Sequence, residues 1–223
     1  MTIASRWQKI SEQIAHLANG CDVTVIAVSK RQTTCSIEQA YAAGARHFGE
    51  SYLQEAIDKI KQLQSVKDIN WHFIGPLQSN KTRDIAAHFQ WVQSVSRSKI
   101  AQRLNDQRAE ILPALNVLLQ VNISADPAKS GLKPTEINSL ATTVMRLPRL
   151  KLRGIMCIPS KTDDQRQLTG DFQHMLTIYQ QLQQQYSCVD TLSMGMSSDY
   201  LQAVVNGANM VRIGTALFGS RKL

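Results

Sequence analysis

One lysine follows a strand-like run near the amino terminus, with a single serine between them. The residues from Val23 to Val28 are apolar or β-branched and carry no charge, and Ser29 and Lys30 follow them. Such a run is typical of a strand buried on both faces of a parallel sheet, and ligands bind at the carboxyl ends of such strands. A desolvated lysine amine loses its proton more easily and becomes a nucleophile toward aldehydes. Lys30 is therefore the first candidate for chemistry.

A second group of candidates lies near the carboxyl terminus. Gly195 permits a close backbone turn, Ser197-Ser198 are predicted to open one helix, and Gly214-Thr215 are predicted to open another. Free N–H groups at two adjacent helix starts, together with hydroxyl groups, form a cradle for a phosphate. Helix capping alone would explain the same residues, but Lys30 and Arg212 beside them favour the phosphate site.

Together these residues describe a site for pyridoxal 5'-phosphate. The aldehyde of this cofactor needs a lysine, and its phosphate needs N–H donors. Arg212 is expected near the ring nitrogen. Because arginine is always charged and only donates hydrogen bonds, it keeps that nitrogen unprotonated, and the ring becomes a weaker stabiliser of carbanions than it would be beside an aspartate.

Such a site needs a scaffold that brings strand ends together. Hydrophobic periodicity and turn residues predict eight strands alternating with helices, at about 25 residues per unit. The strands are predicted at 23–28, 47–50, 70–74, 91–95, 114–123, 151–155, 191–193 and 210–213. The helices are predicted at 3–19, 36–44, 51–64, 79–89, 97–110, 134–148, 163–186 and 197–206, with Ser36 capping the second.

This alternation predicts the α/β class, with a single (β/α)8 TIM-type barrel and an extra N-terminal helix, and residues 1–223 forming one domain. A doubly wound open sheet is the alternative. In a barrel, the residues at the carboxyl ends of the strands converge on one mouth. Besides Lys30, these are Glu50-Ser51, His72, Met156-Cys157, Met194–Ser197 and Arg212–Thr215. Ser51, His72 and Met196 are thus further candidate contacts to the cofactor.

The formal charge of +8 would suit either a nucleic-acid binder or a site for a small phosphorylated anion. The densest basic group is Arg146, Arg149, Lys151 and Arg153, and no basic tract interleaved with aromatic residues is present. Nucleic acid is therefore not an expected partner, whereas a small anionic cofactor is.

Compartment and redox state follow from what the sequence lacks. No apolar run reaches the length of a membrane span, about 18 to 20 residues, and the first twenty residues are typical of an amphipathic helix and not of a signal peptide. We therefore expect a cytoplasmic protein without a membrane partner. The four cysteines, Cys21, Cys35, Cys157 and Cys188, are widely separated and form no C-x-x-C pair, which indicates reduced thiols and no metal site.

Seven stretches spread over the chain carry a resemblance. They are AVSK (27–30), HFGESYLQE (47–55), WHFIGPLQSNK (71–81), VNISADPAKSGL (121–132), LRGIMCIP (152–159), LSMGMSSDYLQAV (192–204) and VRIGTALFG (211–219). The chain resembles the YggS/PROSC-type pyridoxal phosphate homeostasis proteins, which share the barrel of the N-terminal domain of alanine racemase.

The resemblance implies a Schiff base at Lys30, phosphate contacts from Ser197, Gly214 and Thr215, and Arg212 near the pyridine nitrogen. It also implies a role in carrying or buffering the cofactor and in balancing vitamin B6 and amino-acid metabolism, without established turnover. Apo forms of pyridoxal phosphate enzymes are the candidate recipients.

The sequence departs from that family at two places. The family commonly reads GENYVQE where this chain has GESYLQE, so Ser51 replaces an asparagine that would approach the cofactor. The four residues after Lys30 are Arg-Gln-Thr-Thr, where the family usually has Thr-Lys-Pro. Neither departure touches Lys30, Ser197 or Arg212.

Two enzymatic alternatives are open. An amino-acid racemase needs an acid or base on each face of the cofactor, and the related racemases take the second group from a C-terminal domain that we do not expect here, because the chain stops at Leu223. His72 could serve as that base, although a hydrogen-bonded core role is favoured, and Tyr52 is expected to pack on a helix face. A Schiff-base aldolase would give no reason for Arg212. A non-catalytic carrier is favoured, and the lack of an obvious exposed apolar stripe favours a monomer.

Overall fold

Eight parallel strands close into a barrel in the computed structural model, which describes residues 1–219. Each strand pairs with the next, and the last pairs with the first, Ile26 lying opposite Arg212. The strands are β1 (Thr24–Val28), β2 (His47–Glu50), β3 (Asn70–Phe73), β4 (Trp91–Val95), β5 (Leu115–Val121), β6 (Leu150–Cys157), β7 (Thr191–Met196) and β8 (Met210–Ile213). The predicted (β/α)8 barrel is confirmed, and the open-sheet alternative is wrong.

Helices surround the barrel. They are α1 (Ile3–Leu17), α2 (Thr34–Ala42), α3 (Leu53–Gln62), α4 (Thr82–His88), α5 (Ser98–Gln107), α6 (Ile137–Met145), α7 (Gln165–Gln185), α8 (Tyr200–Val205) and α9 (Thr215–Phe218), and a 3₁₀ turn, Pro134–Glu136, precedes α6. None of the helices within residues 1–219 has both the length and the apolar character that a membrane crossing requires.

The extra helix α1 is bound to the last units of the barrel. Ile10 and Ile14 are buried beneath it, as the helical spacing predicts. Arg6 donates to the carbonyl oxygen of Leu217 at 3.3 Å, and the hydroxyl of Tyr200 donates to Gln13 at 2.9 Å.

Two cores result from the closed sheet. The larger one lies between the strands and the surrounding helices and includes Phe48, Phe89 and Phe172, all fully buried. The smaller one is a separate cluster of side chains from five different strands, namely Ile26, Trp91, Leu118, Met156 and Met210. Because side chains alternate along each strand, the smaller cluster fills the barrel itself.

The predicted cap of α2 is wrong. The side chain of Thr33 caps the helix by accepting a hydrogen bond from the amide of Ser36 at 3.2 Å. The helix therefore begins at Thr34, two residues before the predicted cap, because Thr33 has the extended backbone that an N-cap residue needs.

Candidate functional site

A cavity of about 570 Å³ opens at the carboxyl ends of the strands. Its size is typical of a small-molecule site. Its lining includes six of the eight predicted site residues, Lys30, Met196, Ser197, Arg212, Gly214 and Thr215, together with Val28, Ile74, Ile158, Ser198 and Ala216. The structure thus brings together residues that lie up to 188 positions apart in the sequence, as the spacing of Val28 and Ala216 shows.

The turn that carries Lys30 is held on both sides. Ser29 is fully buried, and its hydroxyl donates to Oε1 of Glu50 at 2.7 Å. Arg31 has a φ of 61°, a left-handed conformation uncommon outside glycine, and its amide donates to Oε1 of Glu55 at 2.5 Å. These bonds fix the backbone immediately before and after Lys30.

A buried lysine joins these contacts into one group. Nζ of Lys59 lies 2.7 Å from the carbonyl oxygen of Ser29, 2.8 Å from Oε1 of Glu50 and 2.5 Å from Oε1 of Glu55. Burial raises the pKa of Glu50, while the positive charge of Lys59 acts in the opposite direction. We call Ser29, Glu50, Glu55 and Lys59 the Lys59 cluster. Sequence reasoning missed Glu55 and Lys59, although their i, i+4 spacing on α3 was a signal for an ion pair.

The turn after β7 differs from its prediction. β7 continues to Met196, and α8 begins at Tyr200 instead of Ser197. The amide of Met196 donates to the carboxylate of Asp199 at 2.5 Å, and the amide of Asp199 donates back to the carbonyl oxygen of Met196 at 3.1 Å. This local exchange of hydrogen bonds makes a tight turn, so that Ser197 lies in a loop and not in the first turn of a helix.

Ser197 nevertheless lies at a group of amide donors. The amides of Gly214 and Ala216 both donate to its Oγ, at 3.1 and 3.2 Å. Two backbone N–H groups that converge on one oxygen form the kind of concave site that binds phosphate oxygens. These donors, the hydroxyl of Ser197 and the adjoining Thr215 fit a phosphate group.

Arg212 is anchored at the floor of the cavity. It is 3% exposed, and its two terminal nitrogens donate to Oγ of Ser193 at 2.6 Å and to the carbonyl oxygen of Cys157 at 2.7 Å. Burial raises the pKa of the Cys157 thiol to about 12, so this sulfur stays protonated near neutral pH and is no nucleophile. A fixed guanidinium that borders the cavity fits a role as donor to a ring nitrogen.

Ser51 and His72 do not line this cavity. Ser51 packs its backbone against the loop after β3, where a Cβ at Gly75 would lie 2.4 Å from the Ser51 carbonyl oxygen. His72 is fully buried in the barrel, and its ring nitrogens contact His47 at 2.9 Å and Gln93 at 3.0 Å. The structure therefore gives no support to a cofactor contact from either residue, and it favours the hydrogen-bonded core role for His72.

Comparison with known proteins decides the family. The family described as alanine racemase, N-terminal domain, matches residues 3–222. The chain belongs to that family. Within it, the chain is 45% identical to the pyridoxal phosphate homeostasis protein of Escherichia coli over 226 residues, which cover 98% of this chain and 97% of that protein. It is 48% identical to the protein of the same name from Pseudomonas aeruginosa over 225 residues, with 99% and 96% covered.

Solved structures agree with this placement. PipY of Synechococcus elongatus, solved without pyridoxal phosphate, is 39% identical with a TM-score of 0.84, and it covers 94% of this chain and 100% of its own. A second PipY structure, with pyridoxal phosphate bound, is 38% identical with a TM-score of 0.83. The match again covers 94% of this chain and 100% of the PipY chain. Alanine racemase from Corynebacterium glutamicum is 16% identical with a TM-score of 0.75, and the match covers 98% of this chain but 61% of the racemase, which shows a shared fold. The resemblance of this chain to the pyridoxal phosphate homeostasis proteins, which the sequence predicts, is confirmed.

Proposed function

We propose that this protein binds pyridoxal 5'-phosphate in the cavity at the carboxyl ends of the strands and carries or buffers the cofactor. One observation carries the proposal: Lys30, the buried Arg212 and the amides of Gly214 and Ala216 border one cavity of about 570 Å³. PipY, which is 38% identical, has a structure with pyridoxal phosphate bound, and the curated relatives are named for the homeostasis of this cofactor.

Each lining residue has a separate task in this proposal. When bound, the cofactor supplies a dianionic phosphate and an aldehyde that condenses with a primary amine. The amine is that of Lys30, on the turn that the Lys59 cluster holds. Ser197, Gly214 and Thr215 hold the phosphate, and Arg212 donates to the ring nitrogen.

The lining of the cavity favours a carrier over a racemase. Racemisation needs an acid or base on each face of the cofactor, and histidine or tyrosine would be the expected second group. Within residues 1–219, neither residue type lines this cavity. Tyr52 stacks near the guanidinium of Arg31 at 5.3 Å, and the hydroxyl of Tyr200 donates to Gln13.

The chemistry of the cofactor also suggests its recipients. Apo forms of pyridoxal phosphate enzymes present a lysine to the same aldehyde, so they could accept the cofactor from this protein. A monomeric state and a cytoplasmic location complete the proposal as sequence-based predictions.

Absorbance and chemical trapping test the proposal. Pyridoxal phosphate is added to the purified protein, the spectrum is recorded before and after borohydride, and the modified peptide is located by mass spectrometry. We expect a stable adduct on Lys30. The Lys30→Ala variant should lose that adduct, whereas Lys81→Ala, which changes an exposed lysine at the start of α4, should keep it. A wild-type protein that takes up no cofactor would overturn the binding proposal.

Turnover is measured separately on the loaded protein. Single amino acids of either configuration are incubated with it, and the enantiomeric composition is followed by chiral chromatography. A carrier leaves the configuration unchanged. Steady conversion of any amino acid, lost in Lys30→Ala, would replace the carrier with a racemase.

A further inference from the structure

A line of hydrogen bonds crosses the barrel interior from the cavity to the opposite end. Arg212 donates to Oγ of Ser193 at 2.6 Å, and Ser193 donates to Oε1 of Gln93 at 2.8 Å. Nε2 of Gln93 lies 3.0 Å from Nδ1 of His72, and Nε2 of His72 lies 2.9 Å from Nδ1 of His47. We call these five residues the interior chain.

The interior chain is sealed from solvent except at its lower end. Ser193, Gln93 and His72 are fully buried, and Arg212 is 3% exposed. Its upper end borders the proposed cofactor cavity. Its lower end, His47, is the first residue of β2 and lines a second cavity of about 390 Å³ beneath α1. Five strands, β2, β3, β4, β7 and β8, contribute one residue each.

Arg212 fixes the direction of every bond in this line. A guanidinium has only donors, so Ser193 must accept from it and has its single proton left for Oε1 of Gln93. The side-chain NH₂ group of Gln93 then points at Nδ1 of His72, so Nδ1 must accept the hydrogen bond. The proton of His72 is therefore on Nε2, and it is donated to Nδ1 of His47.

The opposite direction leaves groups without partners. If the side-chain amide of Gln93 were turned over, Ser193 would receive protons from both Arg212 and Gln93, and its own proton would have no acceptor in the line. Nε2 of Gln93 also lies 3.3 Å from Sδ of Met210, a weak acceptor that suits an N–H group. Both hydrogens of this NH₂ group are therefore used only in the first arrangement. Buried polar groups without partners are costly, so one direction is selected.

We propose that Ser193, Gln93 and His72 are positioning residues that hold Arg212 against the cofactor ring and that this line keeps both histidines as neutral Nε2–H tautomers. The first half of this proposal rests on the proposed function, because it concerns the contact between Arg212 and the cofactor. The second half concerns the protein alone. A histidine, an amide and a serine inside a barrel thus act through Arg212 and not by touching the ligand.

Nitrogen NMR of protein labelled with ¹⁵N-histidine tests the direction of the interior chain. At neutral pH, with signals assigned from single histidine variants, we expect His72 and His47 to carry their protons on Nε2 in both the cofactor-free and the loaded protein. Gln93→Glu replaces the NH₂ donor with an oxygen, so His72 should acquire a proton on Nδ1. Gln120→Glu, which adds the same charge on β5 outside the interior chain, should leave His72 unchanged. A proton on Nδ1 of His72 in the wild type would overturn the assignment.

Cofactor binding tests the positioning of Arg212. Ser193→Ala removes a hydrogen bond to a charged group, and we expect pyridoxal phosphate to bind about tenfold more weakly. The pH dependence of the bound-cofactor absorbance should also move, which a loss of packing alone would not cause. Ser94→Ala is the matched control, because Ser94 is a buried serine on β4 that donates to Gly75 instead. Wild-type affinity and spectrum in Ser193→Ala would refute the positioning role.

The two proposals fail in different ways. A wild-type protein that binds no pyridoxal phosphate would refute the proposed function, and with it the positioning role of the interior chain. The histidine spectra of the cofactor-free protein would still decide the tautomers. The direction of the chain is read from the wild-type spectra, so it is decided even if Ser193→Ala or Gln93→Glu does not fold.

Discussion

Lys59 and Glu50 form an ion pair inside the protein, with 2.8 Å between Nζ and Oε1. Their side chains are 7% and 0% exposed, so water contributes little to the solvation of either charge. Removing one partner of such a pair leaves the other charge uncompensated in the interior. Because Lys59 also contacts the carbonyl oxygen of Ser29, the pair is coupled to the turn that carries Lys30.

We expect Lys59→Met to lower the free energy of unfolding by about 3 kcal/mol, the usual cost of breaking a buried pair. The variant should also bind pyridoxal phosphate more weakly, since Ser29 loses a contact next to Lys30. Urea denaturation and cofactor titration measure the two effects. Lys61→Met changes an exposed lysine on the same helix and should alter neither quantity. Equal free energies of unfolding for the two variants would show that the buried ion pair does not stabilise the fold.

Much of the fold could be predicted from the sequence. The strands β2, β4 and β8 have the predicted bounds, because short segments between turn residues leave little freedom in where a strand ends. β7 was predicted three residues too short. Its last residues, Met194 to Met196, include Gly195, which suggested a loop from sequence alone although the strand continues through it.

The site was predicted less completely than the fold. Lys30, Ser197 and Arg212 carry chemistry that their positions at the carboxyl ends of strands make recognisable, and they line one cavity. The contacts of Lys59 and Gln93 could not be predicted, because they depend on side chains from other strands and helices meeting in the interior. A lysine at position 59 has the sequence context of a solvent-exposed helix residue, yet the structure buries it.

Gly195→Ala should disturb the turn that carries Ser197. Gly195 has a φ of 93°, and a Cβ there would lie 2.5 Å from the Cβ of Ala203 and 3.0 Å from the Cα of Tyr200. We expect a loss of about 2 kcal/mol in the free energy of unfolding from strain alone. Gly170→Ala is the control, since nothing lies within 4 Å of a Cβ at that position in α7, and it should stabilise the helix by up to about 1 kcal/mol. If thermal or urea unfolding showed that both variants change the free energy of unfolding in the same direction, this account would be contradicted.

Ser197→Ala should weaken the recognition of the phosphate and leave the recognition of the cofactor ring unchanged. The oxygen of Ser197 lies where the amides of Gly214 and Ala216 converge, so its hydroxyl is expected to share the phosphate with them. Loss of one hydrogen bond to a charged group should lower the affinity for pyridoxal phosphate by about tenfold. Pyridoxal, which lacks the phosphate, should bind equally well to the variant and the wild type. Parallel loss of both affinities would mean that Ser197 acts on the fold or the ring and not on the phosphate.

Stability should fall in mild acid because His72 is buried in its neutral form. Burial, together with the neighbouring His47, places the pKa of His72 well below its ordinary value of 6.5. The unfolded chain therefore binds a proton that the folded chain does not, so the stabilisation is fully present above pH 6.5 and is lost as the pH falls toward the folded-state pKa. Between pH 7.5 and 5.5 the free energy of unfolding should fall by up to about 1.4 kcal/mol because of this histidine.

Urea denaturation at the two pH values measures the difference. His72→Gln should show a smaller loss than the wild type, whereas His174→Gln, on the exposed face of α7, should keep the wild-type loss. An undiminished loss in His72→Gln would assign the acid sensitivity to other groups.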